Sequence, residues 1–517
     1  MKKLLKTALA GALALFLLTG CALVPATSAE TLSQSAASGE AVLLAGATPS
    51  SRGSAGSASA AEATAAVAAV DNSVSARDAA GEYDASEAVT LAPDGDLTIT
   101  EAGVYILSGT YEGMIVIEAG EEDKVQLVLA NAAISNENGP AIYVRSADKV
   151  FITAAEGTVN VISDGSEYTL SDDDTTLDAA VFSKEDLTIK GSGKLTINGK
   201  CKHAVVSKDD LVITAKDLTV NAENVGLNGK DSVKLSEAAV SITAGSDGIR
   251  SDNGSDADKG FVSVVDSTVT IVSGKDGIQA ETVFTAENAD TSITSGGGSG
   301  ARSGDASESC KGIKAGVSIS IDGGVYEIDS LDDAIHTNGS ILIGGGTFTL
   351  QSRDDGVHAN GKVEISGGTL SITACEGIEA TYILISGGDV TIAASDDGIN
   401  AARKSAAYTP TVEISGGTVS ITMGAGDTDG VDSNGNIIIS GGTVSVNGQS
   451  SFDYDGTASF TGGTVYVNGQ QVTTLPNQFM GGGMGGGFGG GFGGGPGGMD
   501  GAGGQNGFGG GRGGGRP

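Results

Sequence analysis

The chain contains no tryptophan, only 3 histidines, 4 cysteines and 8 prolines in 517 residues, and aromatic residues make up 4% of it. Basic residues are scarce too: 29 Lys and Arg stand against 64 Asp and Glu, a formal net charge of −35. That deficit excludes nucleic acid as an expected partner, because recognition of phosphates needs a cationic face. The acidic excess speaks instead for solubility or for cation binding. What is abundant is glycine, 84 residues, together with Val, Ile and Thr separated by Gly, Asn, Asp and Ser. This mixture favours many short strands and tight turns over helices, so an all-β architecture is expected.

The two ends read differently from the middle. Lys2 and Lys3, an apolar run from Ala8 to Leu18 and then Leu18-Thr19-Gly20-Cys21 have the form of an export signal. Its end resembles a bacterial lipobox, in which the cysteine is lipidated and becomes the mature N-terminus. Residues 1–21 are therefore expected to be a lipoprotein signal peptide, with Cys21 lipidated and the protein exported, anchored to the cell membrane by lipid alone and exposed at the cell surface. An ordinary cleaved signal would leave it freely secreted. Residues 22–80, rich in Ala and Ser, suit a flexible spacer. Residues 480–517 are nearly all Gly and cannot bury enough to fold, so a disordered tail is expected.

Between these ends a small residue followed by an aliphatic one returns at Ile142, Val181, Val205, Leu227, Ile249, Ile278, Ile313, Ile335, Val357, Ile378, Ile399 and Val431. The commonest spacing is close to 22 residues, and such a period signals a solenoid. A second phrase follows within several units, as in "VEISGGTLSI" from Val363 and "IIISGGTVSV" from Ile437. Its apolar residues alternate on both sides of Gly-Gly, the pattern of two half-buried strands around a bend. Three short strands and three turns per unit predict a right-handed parallel β-helix of about 22 residues per coil over residues 85–475. A β-propeller is excluded by spacing, since its repeats run to roughly 40 to 50 residues. A monomer is expected.

Stacking converts the repeat into columns of residues about 4.8 Å apart. Two positions before the aliphatic anchor lie Asp333, Asp355, Glu376, Asp397 and Asp429; three before it lie Asp332, Asp354, Cys375, Asp396 and Thr428; one after it lie His336, His358, Glu379, Asn400 and Asp432. Unit charges this close repel by about 1 kcal/mol per pair in water and by more in a lower dielectric. Either some acids hold protons through raised pKa values, or hard cations sit between the coils. Calcium suits the second case better than magnesium, because its six to eight oxygen ligands tolerate irregular geometry. Turn chemistry explains one Asp per coil but not the paired acids or Glu379. The run "DTDGVDSNG" at Asp427 resembles a calcium loop, yet Gly430 is its fourth residue rather than its sixth, and it reads as another coil corner. His336 and His358 should stack, in contact with a ligand or with the acids, and a stacked pair could also take a transition metal. Cys310 and Cys375 share one offset but lie three coils apart, about 14 Å, too far for a disulfide, so Cys201, Cys310 and Cys375 are expected to be free.

The segment Thr98 to Asp164, followed in order by "DDAIH", "DDGVHA", "CEGIEA" and "DDGIN", resembles the bacterial carbohydrate-binding domain family of cellulose- and pectin-binding β-helix proteins, themselves similar to pectate lyases. The resemblance implies bound Ca²⁺ and binding of plant cell-wall polysaccharide, including polygalacturonate and cellulose, without established cleavage. It places the calcium ligands among Asp332, Asp333, Asp354, Asp355, Glu376, Glu379, Asp396 and Asp397, with His336, His358, Lys314 and Asn400 facing a glycan. The absence of tryptophan removes an obvious stacking row for cellulose and favours an acidic chain such as pectin, to which calcium can bridge. Two other readings stay open. One is a pectate-lyase-type enzyme, for which Lys314 is the candidate base. The other is a structural or adhesin rod that holds calcium only to neutralise itself.

Overall fold

The computed structural model describes residues 70–91, 95–169, 176–302, 308–426 and 428–477. Cys21, most of the expected spacer, Asp427 and the Gly-rich tail lie outside the described residues. Strands recur in threes. Ile313–Ala315, Ser318–Asp322 and Val325–Ser330 are followed by Ile335–Thr337, Ser340–Ile343 and Thr347–Ser352, and each pairs in parallel with its equivalent in the next set. The result is one long parallel sheet, consistent with a β-helix. The register joins every anchor to the next: Ile313 faces Ile335, Ile335 faces Val357, Val357 faces Ile378 and Ile378 faces Ile399.

Alternation along each strand sends the aliphatic residues inward. Ile335, Ile341, Ile343, Phe348 and Leu350 of one coil are all within 1% of complete burial, each contributing about 1.5–3 kcal/mol. The small residue before each anchor is a packing requirement rather than a turn requirement. A Cβ on Gly377 would stand 2.3 Å from the Gly398 carbonyl oxygen and 2.5 Å from Ile392 Cγ2, so neither coil could close on the next. The second glycine of the "SGG" bend has the other reason. Gly368 and Gly388 adopt φ of +89° and +81°, a region that side chains disfavour.

The last coil ends in a reversal. Gln470–Val472 pairs antiparallel with Thr464–Val467, which occupies an edge otherwise open to another strand. A second finding departs from the sequence reading. The spacer expected over 22–80 does not extend through residues 75–80, which are packed on the sheet around the short helix Ala76–Ala79. Asp78 is 4% exposed; its carboxylate accepts hydrogen bonds from Thr188 Oγ1 at 2.5 Å and faces Lys149 Nζ at 2.9 Å. Lys190 Nζ donates to the Arg77 carbonyl, and the Arg77 guanidinium lies over Phe151. This clip fastens three neighbouring coils, and composition hid it because each contact is a single polar residue in an Ala-rich stretch.

Cys201 and Cys310 are free thiols, as expected. Cys375 is disulfide-bonded, which corrects the expectation for that residue. The spacing argument set Cys310, and Cys201 further along the chain of coils, beyond its reach, and both of these are free.

Candidate functional site

The backbone explains part of the acidic column. In the position two before each anchor, an aspartate accepts the amide of its equivalent in the next coil: Asp333 Oδ1 from Asp355 N at 3.1 Å, and Asp397 Oδ1 from Asp429 N at 2.9 Å. Asp276 Oδ1 accepts from Lys311 N at 2.8 Å in the same way. In these coils one acid therefore satisfies a backbone donor, which the turn reading anticipated in kind. The column also begins earlier than its sequence description. Asp247 and Asp276, in "SDGI" and "KDGI", hold the same offset two coils before Lys311, and the repeated phrase was the signal that should have included them.

The remaining acids are gathered around the protein's own cations. Lys311 Nζ lies 2.8 Å from Asp332 Oδ1 and 2.7 Å from Asp333 Oδ2. Burial opposes its charge, but Asp333 and Asp332 hold its ammonium well above the usual lysine range. His336 Nδ1 is 2.7 Å from Asp333 Oδ2. Burial works against charge on Asp333 as well, yet His336 and Lys311 keep its carboxyl well below the ordinary range. In the next coil His358 Nδ1 contacts Asp355 Oδ2 at 2.5 Å and Glu379 Oε2 at 3.0 Å. Against the effect of burial, these carboxylates push the imidazolium up to about 10, while burial pushes Asp355 up to about 8. Lys404 Nζ reaches Glu379 Oε1 at 2.7 Å. The two imidazole rings stack, with centroids 4.7 Å apart.

Compensation is incomplete, and the uncompensated acids can be named. Asp354 lies at the solvent edge, and partial desolvation of its carboxyl by neighbouring groups, with the charges of Asp333 and Asp332, pushes it up. Burial, Asp355 and Glu379 push Glu376 up to about 9, although Asn400 Nδ2 donates to it at 3.0 Å. Burial pushes Asp397 up to about 7. One of the two outcomes open from the sequence, acids that bind protons unusually well, operates on this edge, and beside it the protein's own lysine and histidine cations neutralise other acids.

Three sets bring ligand atoms within 4.8 Å of one another: Asp332, Asp333 and Asp354; Asp333, His336 and His358; and Asp355, His358 and Glu379. Five of the eight expected metal ligands thus fall into sets, with both histidines added. Glu376, Asp396 and Asp397 join no such set among the described residues. The first set is all oxygen, the chemistry a hard cation such as calcium takes, and its Asp354 is short of positive charge. The donors fit calcium there, beside Lys311. The two sets containing imidazole suit a softer ion, but their nitrogens already face carboxylates. Lys314 is held elsewhere, 3.3 Å from Asp276 Oδ2 and 3.3 Å from Ser309 Oγ. Asn400 faces Glu376, and its Oδ1 is buried without a partner. Lys404 was missed because it lies in an insertion, between Ala401 and Thr411, that the repeat does not index.

These features define a class: a stacked, parallel all-β protein whose one edge carries ionised and hydrogen-bonding side chains in register. A family model described as carbohydrate-binding domain-containing protein matches residues 93–356, 336–377 and 352–474. The chain belongs to that family. A carbohydrate-binding domain-containing protein of Acetivibrio thermocellus is 38% identical over 129 residues, which are 25% of this chain and 45% of that protein. The chain thus spans less than half the length of that relative. A solved structure, the polysaccharide lyase-like protein from C. thermocellum as a gadolinium derivative, shares 31% identity and a TM-score of 0.40, covering 47% of this chain and 95% of that one.

Proposed function

We propose that this protein is a surface-anchored, calcium-dependent binder of plant cell-wall polysaccharide, with acidic chains such as polygalacturonate preferred over cellulose. The observation that carries the reading is the Asp332, Asp333 and Asp354 set, all oxygen and short of positive charge at Asp354, beside the His336–His358 column in a chain of the carbohydrate-binding domain family. Bound there, calcium supplies a positive charge with coordination positions that sugar carboxylates can share. Asp332, Asp333 and Asp354 hold it; His336 and His358 stand ready to donate to the glycan from the same edge. The preference against cellulose rests on the aromatics. The stacked pair Tyr326 and Phe348 is buried, at 0% and 1% exposure, and offers no platform to a flat neutral chain. Export and lipid anchoring rest on Leu18-Thr19-Gly20-Cys21; among the described residues no helix is long and apolar enough to cross a membrane.

The test is retention of the mature protein on immobilised polygalacturonate and on cellulose, each with calcium and with chelator. Calcium-dependent retention on polygalacturonate alone is expected. Equal retention in chelator, or none on either support, overturns the reading.

A further inference from the structure

A concavity on this edge lies in the coils just before the acid sets. An open groove of about 420 Å³ is lined by Asp247, Arg250, Asp276, Gln279, Glu308 and Lys314, among others. It forms where the repeat lengthens: Ile278 follows Ile249 by 29 positions and Ile313 follows Ile278 by 35. Glu308 and Ser309, at the end of the longer insertion, make one wall. Insertions in stacked repeats collect on one face, often the face that binds.

The groove's floor is two columns of opposite hydrogen-bonding character. Arg250, Gln279 and Lys314 are consecutive partners in the register, so a guanidinium, an amide and an ammonium stand in line about 4.8 Å apart. Parallel to them run the carboxylates of Asp247 and Asp276, 5% and 2% exposed. The acids are matched one to one: Arg250 Nη1 is 3.4 Å from Asp247 Oδ2, Lys314 Nζ is 3.3 Å from Asp276 Oδ2, and Lys275 Nζ is 3.1 Å from Glu308 Oε1. The floor therefore has no net charge to attract an anion or a metal. It has instead fixed donors beside fixed acceptors; the contacts of 3.3–3.4 Å leave hydrogen-bonding capacity unused on Arg250, Lys314 and Asp247, whereas Asp276 Oδ1 already accepts from Ser309 Oγ at 2.7 Å and from Lys311 N at 2.8 Å. Arg250 Nε is buried with no partner at all.

We infer that this groove is a second, cation-free glycan subsite that reads the hydroxyls of one sugar ring, Arg250, Gln279 and Lys314 donating and Asp247 and Asp276 accepting. A ring hydroxyl both donates and accepts, so adjacent columns of fixed donors and fixed acceptors match it where a net charge would not. Lys314 is the register neighbour of His336, so a chain held at the acid sets continues into the groove. The inference rests on the proposed glycan binding and adds to it a site independent of calcium.

The experiment is calorimetric titration with trigalacturonate, in chelator and in calcium, of wild type and Gln279→Ala. Gln279 belongs to none of the ion pairs, so this substitution leaves Asp247 and Asp276 matched; Lys314→Ala is the second variant. In chelator, wild type should show weak saturable binding, and Gln279→Ala should weaken it about fivefold, the effect of one lost hydrogen bond. No binding by wild type in chelator, or binding by Gln279→Ala as tight as that of wild type, overturns the groove. If that happens while calcium restores binding, the proposed function survives without the groove; if calcium restores nothing, both fail.

Discussion

Tyr143 and His336 occupy the same register position of one sheet. A continuous series of partners links them through Phe182, Val206, Asn228, Arg250, Gln279 and Lys314. In the early coils this position is apolar and covered. Tyr143 and Phe182 are 0% and 1% exposed, meet edge to face at 6.1 Å, and pack with Val116, Val206 and Leu177. In the later coils it is ionic and reaches solvent through Lys314, His336 and His358, with Glu379 buried beside them. The backbone pairing is alike in both regions, so the fold does not decide which becomes a site. Side-chain chemistry at one offset does: aromatic residues there recruit cover, whereas charged residues keep the edge open and draw counter-charges from neighbouring coils. Stacking then amplifies either choice, because each residue meets its like about 4.8 Å away.

The comparison can be broken at its strongest point first. Phe182→Ala should cost about 3–5 kcal/mol of unfolding free energy, measured by denaturant titration, and leave glycan retention unchanged. Loss of retention would show that the early coils belong to the site. Lys311→Met should cost about 3 kcal/mol, since it leaves the buried Asp333 without its ammonium. Calcium should recover part of that loss, as it should not for Phe182→Ala; identical responses of the two variants to calcium would erase the distinction between the regions.

The clip supplies a third region, where a cation is buried without a site. Burial, helped by Arg77, holds Lys190 down to about 8, against an unfolded value near 10.5. The unfolded chain therefore binds more protons between those limits. Stability from this group rises with pH across that window, and the penalty is complete below about pH 8. Wild type should gain thermal stability between pH 8 and 10 relative to Lys190→Met, and parallel profiles of the two would refute it. The smallest effect belongs to open surface. Lys216 and Glu237 form an exposed pair at 3.2 Å, and Lys216→Ala should change stability by no more than about 0.5 kcal/mol.

Much of this was legible in the sequence, for a reason the anchors illustrate. A stacked fold writes its register into one dimension, so Ile335, Val357 and Ile378 could be aligned by counting, and with them Asp333, Asp355 and His358. Counting could not show what crosses between coils at irregular distance. Lys404 and Glu308 come from insertions, and the Asp78 clip joins Thr188 across 110 positions. Nor could counting separate acids that accept a backbone amide and face a cation, such as Asp333, from acids left short of charge, such as Asp354. That difference depends on burial and on which cation lies within reach.

The central claim is that the later coils hold calcium at Asp332, Asp333 and Asp354 in addition to their built-in cations. Calcium titration calorimetry on the mature protein and on Asp354→Asn tests it most directly, because Asp354 is exposed and its replacement spares the core. Saturable calcium uptake by wild type, weakened about tenfold or more in the variant, is the predicted result. No uptake at millimolar calcium, or equal affinity in both proteins, would contradict it.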